Sequence, residues 1–387
     1  MTAPQPRKQI VPALGLVQIL TWGSTFYLLA VLGDPIVQAT GWPRVAVTGG
    51  VSLGLLTSGL AARVVGREIT ARGGRDVMMA GVALLIVGLL GLAAAPSLPF
   101  YFAAWIVLGC GMAASLYEAA FSTLGMLFGD KARSAITSLT LLGGLASTIC
   151  WPLSAYLVDV VGWRGTCGVY ATLHLCVTLP LCRFGLPASP KPRVETAGPP
   201  SGAAPRLDLR FVCMALWGVS LALILGVISV HLITLLTAGG LSVAAAVALG
   251  AMIGPSQVAA RLVELAGRGR HHPIITQFGS SALICLGLVG LWQDIPTSVC
   301  MVAYGTGAGL WSIARGTMVL QIYGARAYPG ATARLARPVL IAAAVAPLAG
   351  GALIEAFGPL GTLRLLALAT CVPLLATLTL GMLLRRR

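Results

Sequence analysis

Hydrophobic positions follow one another through the chain in long runs, and turn residues and charges separate the runs. A helix needs about 20 mostly apolar residues to cross the hydrocarbon of a bilayer. Twelve runs meet that length. In the first half they lie at about 10–33, 44–65, 76–95, 99–128, 133–161 and 165–184. In the second half they lie at about 210–237, 242–266, 273–292, 295–323, 335–357 and 360–384. The first run follows Arg7 and Lys8, but it exceeds a signal-peptide core and no cleavage site follows it, so it reads as a retained span. The pattern predicts an all-α membrane protein.

Residues 185–209 break the pattern. They hold Pro187, Pro190, Pro192, Pro199, Pro200 and Pro205 among Lys, Arg, Ser and Gly, a composition that cannot span and reads as a linker. The expected organisation is a six-helix bundle at 1–184, a cytoplasmic linker at 185–209 and a second bundle at 210–387. A weak internal repeat agrees. Ala61-Ala62-Arg63 recurs as Ala259-Ala260-Arg261, and the segment Trp151 to Gly162 is echoed by Ala346 to Gly358. Two pseudo-symmetric six-span repeats are a transporter architecture.

Composition narrows the class. Charged residues make up 10% and hydrophobic ones 57%, too little charge to cover a soluble object of 387 residues. A soluble enzyme, a disordered chain and a nucleic-acid binder are disfavoured, and the partner of the surface is the lipid bilayer. The net charge of +15 reports topology instead. With both termini cytoplasmic, 22 of the 26 Lys and Arg fall on the cytoplasmic side, as the positive-inside rule requires. That places the chain as a multi-pass protein of a plasma membrane, the inner one in a bacterium, and as a monomer. The nine cysteines are scattered in apolar runs with no CxxC pair, so no metal site or disulfide framework is expected. No P-loop or catalytic triad appears, so neither an enzyme nor a cofactor is expected. Gly305 to Gly309 (GTGAG) follows no strand and reads as close helix packing.

Three features carry a family resemblance. Gly66 to Arg75 reads GREITARGGR between spans two and three. Gly162-Trp163-Arg164 ends span five. Six spans sit on each side of a long central loop. In these the chain resembles the major facilitator superfamily, whose loop signature is G-x-x-x-D-R-x-G-R-R. The resemblance implies the gating-loop positions Gly66, Arg67, Arg72, Gly73, Arg75 and Asp76. Thr70 and Ala71 stand at the signature's Asp and Arg, which leaves Glu68 or Asp76 to supply the acid. Trp105, four residues before Gly109, stands where drug–proton antiporters of the family carry arginine, and their span-five G-P-x-x-G-G element is absent. The stretch Gly109 to Arg164 is similar to the oxalate/monocarboxylate arm.

Ionisable groups deep in a bilayer are costly and need a reason. Two lie well inside the expected spans, Glu118 in span four and Arg315 in span ten, at similar depths before Gly129 and Gly324. The resemblance implies that these two spans line a central cavity. One reading is a structural ion pair. The other divides labour between Arg315, which offers a carboxylate its fixed fork of donors, and Glu118, a proton-coupling acid. Gly111, Ser115, Glu118, Ser122 and Gly125 recur on one helical face, the expected cavity stripe. Tyr117 beside Glu118, Trp311 beside Arg315, Tyr27, Trp151 and Gln257 are further candidates, with Trp22 and Ser24. His231 fits a proton shuttle or a satisfied core residue equally well. His174 reads as structural, and His271 with His272 as part of a solvated loop.

The expected function is secondary transport of a small organic solute, an organic anion such as a carboxylate, by alternating access with proton coupling. The alternatives are a metabolite or drug exporter of the same fold, or a transporter-like membrane receptor.

Overall fold

The computed structural model describes residues 9–128, 132–188, 208–267, 271–293 and 295–385. Most of the expected linker lies outside them, as do Arg7, Lys8, Lys131, Lys191, Arg193, Arg206, Arg268, Arg270, Arg386 and Arg387. Every regular element among the described residues is helical. The chain divides into two compact units, 1–194 and 195–387. The first holds α1 (Ile10–Gly23), α2 (Leu28–Thr40), α3 (Arg44–Arg72), α4 (Gly74–Ala94), α5 (Leu98–Ser115), α6 (Tyr117–Phe128), α7 (Ala132–Gly143) and α8 (Ala146–Leu173). A π-turn (His174–Thr178) then leads into α9 (Leu179–Gly185). The second holds α10 (Leu209–Ala238), α11 (Val243–Ala251), α12 (Ile253–Ala266), α13 (Pro273–Trp292), α14 (Thr297–Ala369) and α15 (Cys371–Arg385).

Among the described residues, nine stretches are long and apolar enough to cross a membrane. Two of them, Ser138–Gly185 and Arg334–Arg385, run to 48 and 52 residues. Each contains one glycine at positive φ, Gly162 at 70° and Gly358 at 69°. An L side chain is strained there and glycine is not, so each long stretch turns back at its glycine and supplies two crossings. With residues 297–323 of α14, the count is consistent with twelve. These two glycines end the two sequence echoes, so the repeat recurs in the backbone. Gly41 (71°) and Gly240 (93°) form a second such pair, just after α2 and α10.

At the first of these turns Trp163 is buried, and the guanidinium of Arg164 lies 4.2 Å from its ring centroid. The same guanidinium donates to the carbonyl oxygens of Ala93 (2.8 Å) and Ala95 (2.9 Å). Carbonyls at the end of a helix have no helical donor, and a cation there also suits the helix dipole. Arg164 thereby ties the start of span six to the end of α4.

Spans one, four and five do not run straight through. The first breaks over Ser24–Tyr27, the second at Leu116, whose ψ of −168° is extended, and the third over Gly144–Leu145. Span one breaks where hydroxyls compete with the helix for carbonyls. Thr21 Oγ1 donates to Val17 O (2.8 Å), Ser24 Oγ to Thr21 O (3.4 Å) and Thr25 Oγ1 also to Thr21 O (2.5 Å). Span five breaks at a glycine pair, Gly143-Gly144. At the span-four break, wholly buried Gln18 donates Nε2–H to Ser115 O at 2.8 Å, serving the carbonyl that the extended residue exposes. The break also divides the face expected to be continuous. Gly111 and Ser115 are buried, Ser115 Oγ donating to Gly111 O at 2.7 Å, whereas Glu118 and Ser122 are exposed. Leu116 resets the helical phase, so the five positions are not one cavity stripe. In the second unit α10 is unbroken, and span eight is interrupted at Met252 between α11 and α12.

Two substitution sets test these joints. Gly162→Ala and Gly358→Ala should each lower stability by about 1 kcal/mol and lower the apparent Tm of purified protein. Gly168→Ala, at ordinary φ with open space around it, should leave it unchanged. Gln18→Leu leaves a buried carbonyl unserved and should cost about 1–3 kcal/mol; an unshifted melt would show that the break at Leu116 does not depend on it.

Candidate functional site

The three breaks of the first unit carry a connected set of aromatic rings. Trp22 lies 5.3 Å from Phe26, 6.2 Å from Tyr27 and 5.2 Å from Tyr117, centroid to centroid. Tyr27 meets Trp151 edge-on at 5.8 Å, and Tyr117 stacks on Phe121 at 5.0 Å with 13° between planes. Candidates Tyr27, Tyr117 and Trp151 are therefore one cluster with Trp22 at its hub. Trp151 is buried and the other five rings are half-buried. Each such pair contributes about 0.5–1.5 kcal/mol beyond burial. Gly143 is required beside it, because a Cβ there would collide with the Tyr117 hydroxyl.

Glu118 stands in the first turn of α6, directly after the break. Its side chain is exposed, with no hydrogen-bond or ion-pair partner for its carboxylate among the described residues. A carboxylate in the first turn of a helix is favoured by the positive end of the helix dipole. Read as a straight span, the sequence gives no sign of this placement.

The expected gating loop is mostly helix. Span two continues as α3 through Gly66, Arg67 and Arg72, and only Gly73 (φ 87°) separates it from α4, where Arg75 and Asp76 form the first turn. Nothing from Arg67 to Arg72 breaks a helix, and Glu68 and Arg72 pair at i,i+4 (2.7 Å). Asp76 pairs with its neighbour Arg75 at 3.0 Å. Each of the two acids named for this element is thus held by an arginine of its own helix. A further ion pair was not foreseen. α2 runs on past the expected end of span one, so Asp34 lies within it and pairs with Arg44 at the start of α3.

In the second unit Arg315 is exposed, its guanidinium 5.1 Å from the Trp311 ring centroid, within cation–π range. Trp311 packs in turn beside Ala222, Val339 and Ala342. His231 is buried and donates Nε2–H to Pro347 O at 2.9 Å, which joins α10 to α14. A Cβ on Gly350 would reach that ring. This is the geometry of a satisfied core histidine. Gln257 is half-buried in α12 and accepts from Arg261 Nη2 at 3.5 Å.

Other histidines do more than the sequence suggests. His174, in the π-turn, shares a hydrogen bond with Ser24 (2.7 Å) and another with Thr178 (3.1 Å), tying span six to the break of span one. His271 is not merely solvated, since it joins Glu264 (3.1 Å) and Thr276 (3.0 Å). His272 caps α13, its Nδ1 accepting from Ile274 N at 3.2 Å. Gln18, Phe26 and Phe121 carry no sequence signal, because only the breaks bring them to the cluster.

Comparison with known proteins agrees with this architecture. The family model of the Major Facilitator Superfamily matches residues 14–313. Human Monocarboxylate transporter 6 is 30% identical over 145 residues, covering 36% of this chain and 28% of that protein. The chain thus spans well under half the length of that relative. Among solved structures, the nucleoside transporter NupG superposes with TM-score 0.78 at 12% identity, covering 96% of this chain and 98% of that one. A bacterial homologue of the human lysosomal transporter Spinster gives 0.73 at 15% identity, covering 100% and 98%. These last two likenesses concern the fold alone. With twelve expected crossings, a match over most of its length and fold neighbours that cover it almost end to end, the chain belongs to the Major Facilitator Superfamily of multi-pass membrane transporters.

Proposed function

We propose that this secondary transporter moves a small organic anion, a carboxylate, in symport with a proton by alternating access. Arg315 holds the anion and Glu118 carries the proton. The observation that carries the reading is the exposure of these two side chains within apolar helices, Glu118 at the start of a broken helix and Arg315 over Trp311. An exposed charge at that depth is costly unless it meets water, substrate or a partner. The guanidinium offers a planar anion paired charge-assisted donors, and Trp311 holds it in place.

On this reading Glu118 takes up and releases one proton in each transport cycle. The similarity to Monocarboxylate transporter 6 over about a third of the chain points to the same substrate class. The reading places both termini in the cytoplasm of a bacterial inner membrane, on the strength of the basic residues gathered there. It also takes the monomer as the working unit. Glu68, Arg72, Arg75 and Asp76 would then serve as a charged hinge at the cytoplasmic end of α3 and α4. His231 serves packing, since its proton is committed to Pro347 O.

Uptake into proteoliposomes tests the assignment, with carboxylates compared against nucleosides and cations. Glu118→Gln should retain exchange of labelled carboxylate across the membrane but lose accumulation driven by a pH gradient. Arg315→Gln should weaken carboxylate binding about 10- to 100-fold, with partial recovery in Arg315→Lys. Transport of cations alone would overturn the role of Arg315, and unchanged pH dependence in Glu118→Gln would overturn that of Glu118.

A further inference from the structure

We infer that the aromatic cluster of the first unit is a subsite for a flat ring, so that the solute is an aryl or otherwise planar carboxylate rather than a small aliphatic one. The inference rests on the carboxylate reading above and adds to it.

The first ground is where the rings stand. Several aromatic residues of this chain are sealed, as Tyr101, Trp105, Tyr170 and Trp217 are. Trp22, Tyr27, Tyr117 and Phe121 instead remain half-buried, although the backbone around them is buried at Thr21, Gly23, Ser24, Ser115 and Ala120. Rings that gather on broken helices and keep part of their surface open suit another ring, through offset stacking or edge contacts.

The second ground is independent of the first. Trp151, 2% exposed, has an indole N–H with no hydrogen-bond partner among the described residues. The Trp22 N–H is in the same condition, as is Oε1 of Gln18, a residue with no exposure at all. Buried polar atoms are seldom left so. Here two donors and one acceptor belong to residues that meet at the same breaks. Trp105 shares the missing partner, but its ring is closed against Gly50 and Gly54. A planar solute with a polar edge can take such groups up, which a saturated chain cannot do while also stacking.

The charge of the solute has no welcome here. The faces of aromatic rings carry the negative side of their quadrupole, and Glu118 follows Tyr117 directly. The cluster therefore suits the ring and not the carboxylate.

Equilibrium dialysis of the purified full chain in lipid nanodiscs tests this, with labelled benzoate, cyclohexanecarboxylate and benzylamine as probes. The first two match in charge and nearly in size and differ in planarity. Wild type should bind benzoate about five- to tenfold tighter than cyclohexanecarboxylate. Trp22→Leu and Tyr117→Leu should bring the two within about twofold, and Trp22→Phe should keep most of the preference. Phe121→Leu replaces either leucine variant if that variant does not elute as a single species. Equal affinities in wild type, or a preference that survives the leucine variants, overturn the ring subsite and leave the carboxylate reading standing. Binding of benzylamine alone, or of no probe, overturns both.

Discussion

Hydrocarbon offers no hydrogen bonds, so every backbone N–H and C=O that leaves a helix inside the membrane must find a partner in the protein. That constraint organises this molecule. Spans one, four and five of the first unit leave the helix, and buried side chains brace two of these breaks. Gln18 reaches the Ser115 carbonyl, and His174 holds Ser24 from the π-turn. At the turn after Gly162, Arg164 serves the last carbonyls of α4. The breaks are kept because specific residues sustain them, and those same breaks present Glu118 and the aromatic rings.

The two units share a plan but use it differently. The shared plan is visible in paired positive-φ glycines, Gly162 with Gly358 and Gly41 with Gly240. The breaks are not shared. The second unit keeps α10 whole and presents its cation, Arg315, from the long helix α14 with Trp311 behind it. One unit thus supplies an acid and a set of ring faces, the other a guanidinium.

Much of this was legible in the chain. Run length indicates the spans, because bilayer thickness acts on composition alone. The echo ending at Gly162 and Gly358 was readable because a turn there demands glycine. Glu118 and Arg315 stood out because charge at that depth is rare. The breaks were not legible. Leu116 is an ordinary helix former, and the side chain that serves the carbonyl beside it, Gln18, lies 97 residues before Ser115. The supposed stripe through Gly111 and Gly125 failed for the same reason, since helical periodicity holds only while the helix does. The gating segment misled in the opposite direction, because its charges pair along α3 and extend the helix through what looked like a loop.

The account stands or falls on proton movement with the solute. The most direct measurement follows luminal pH and labelled benzoate influx together in proteoliposomes of the wild-type protein, against protein-free liposomes. The account predicts that the lumen acidifies in step with influx, faster than in protein-free liposomes, and that an imposed membrane potential leaves the rate unchanged. Protein-dependent influx without acidification, or influx that follows the potential, would contradict it.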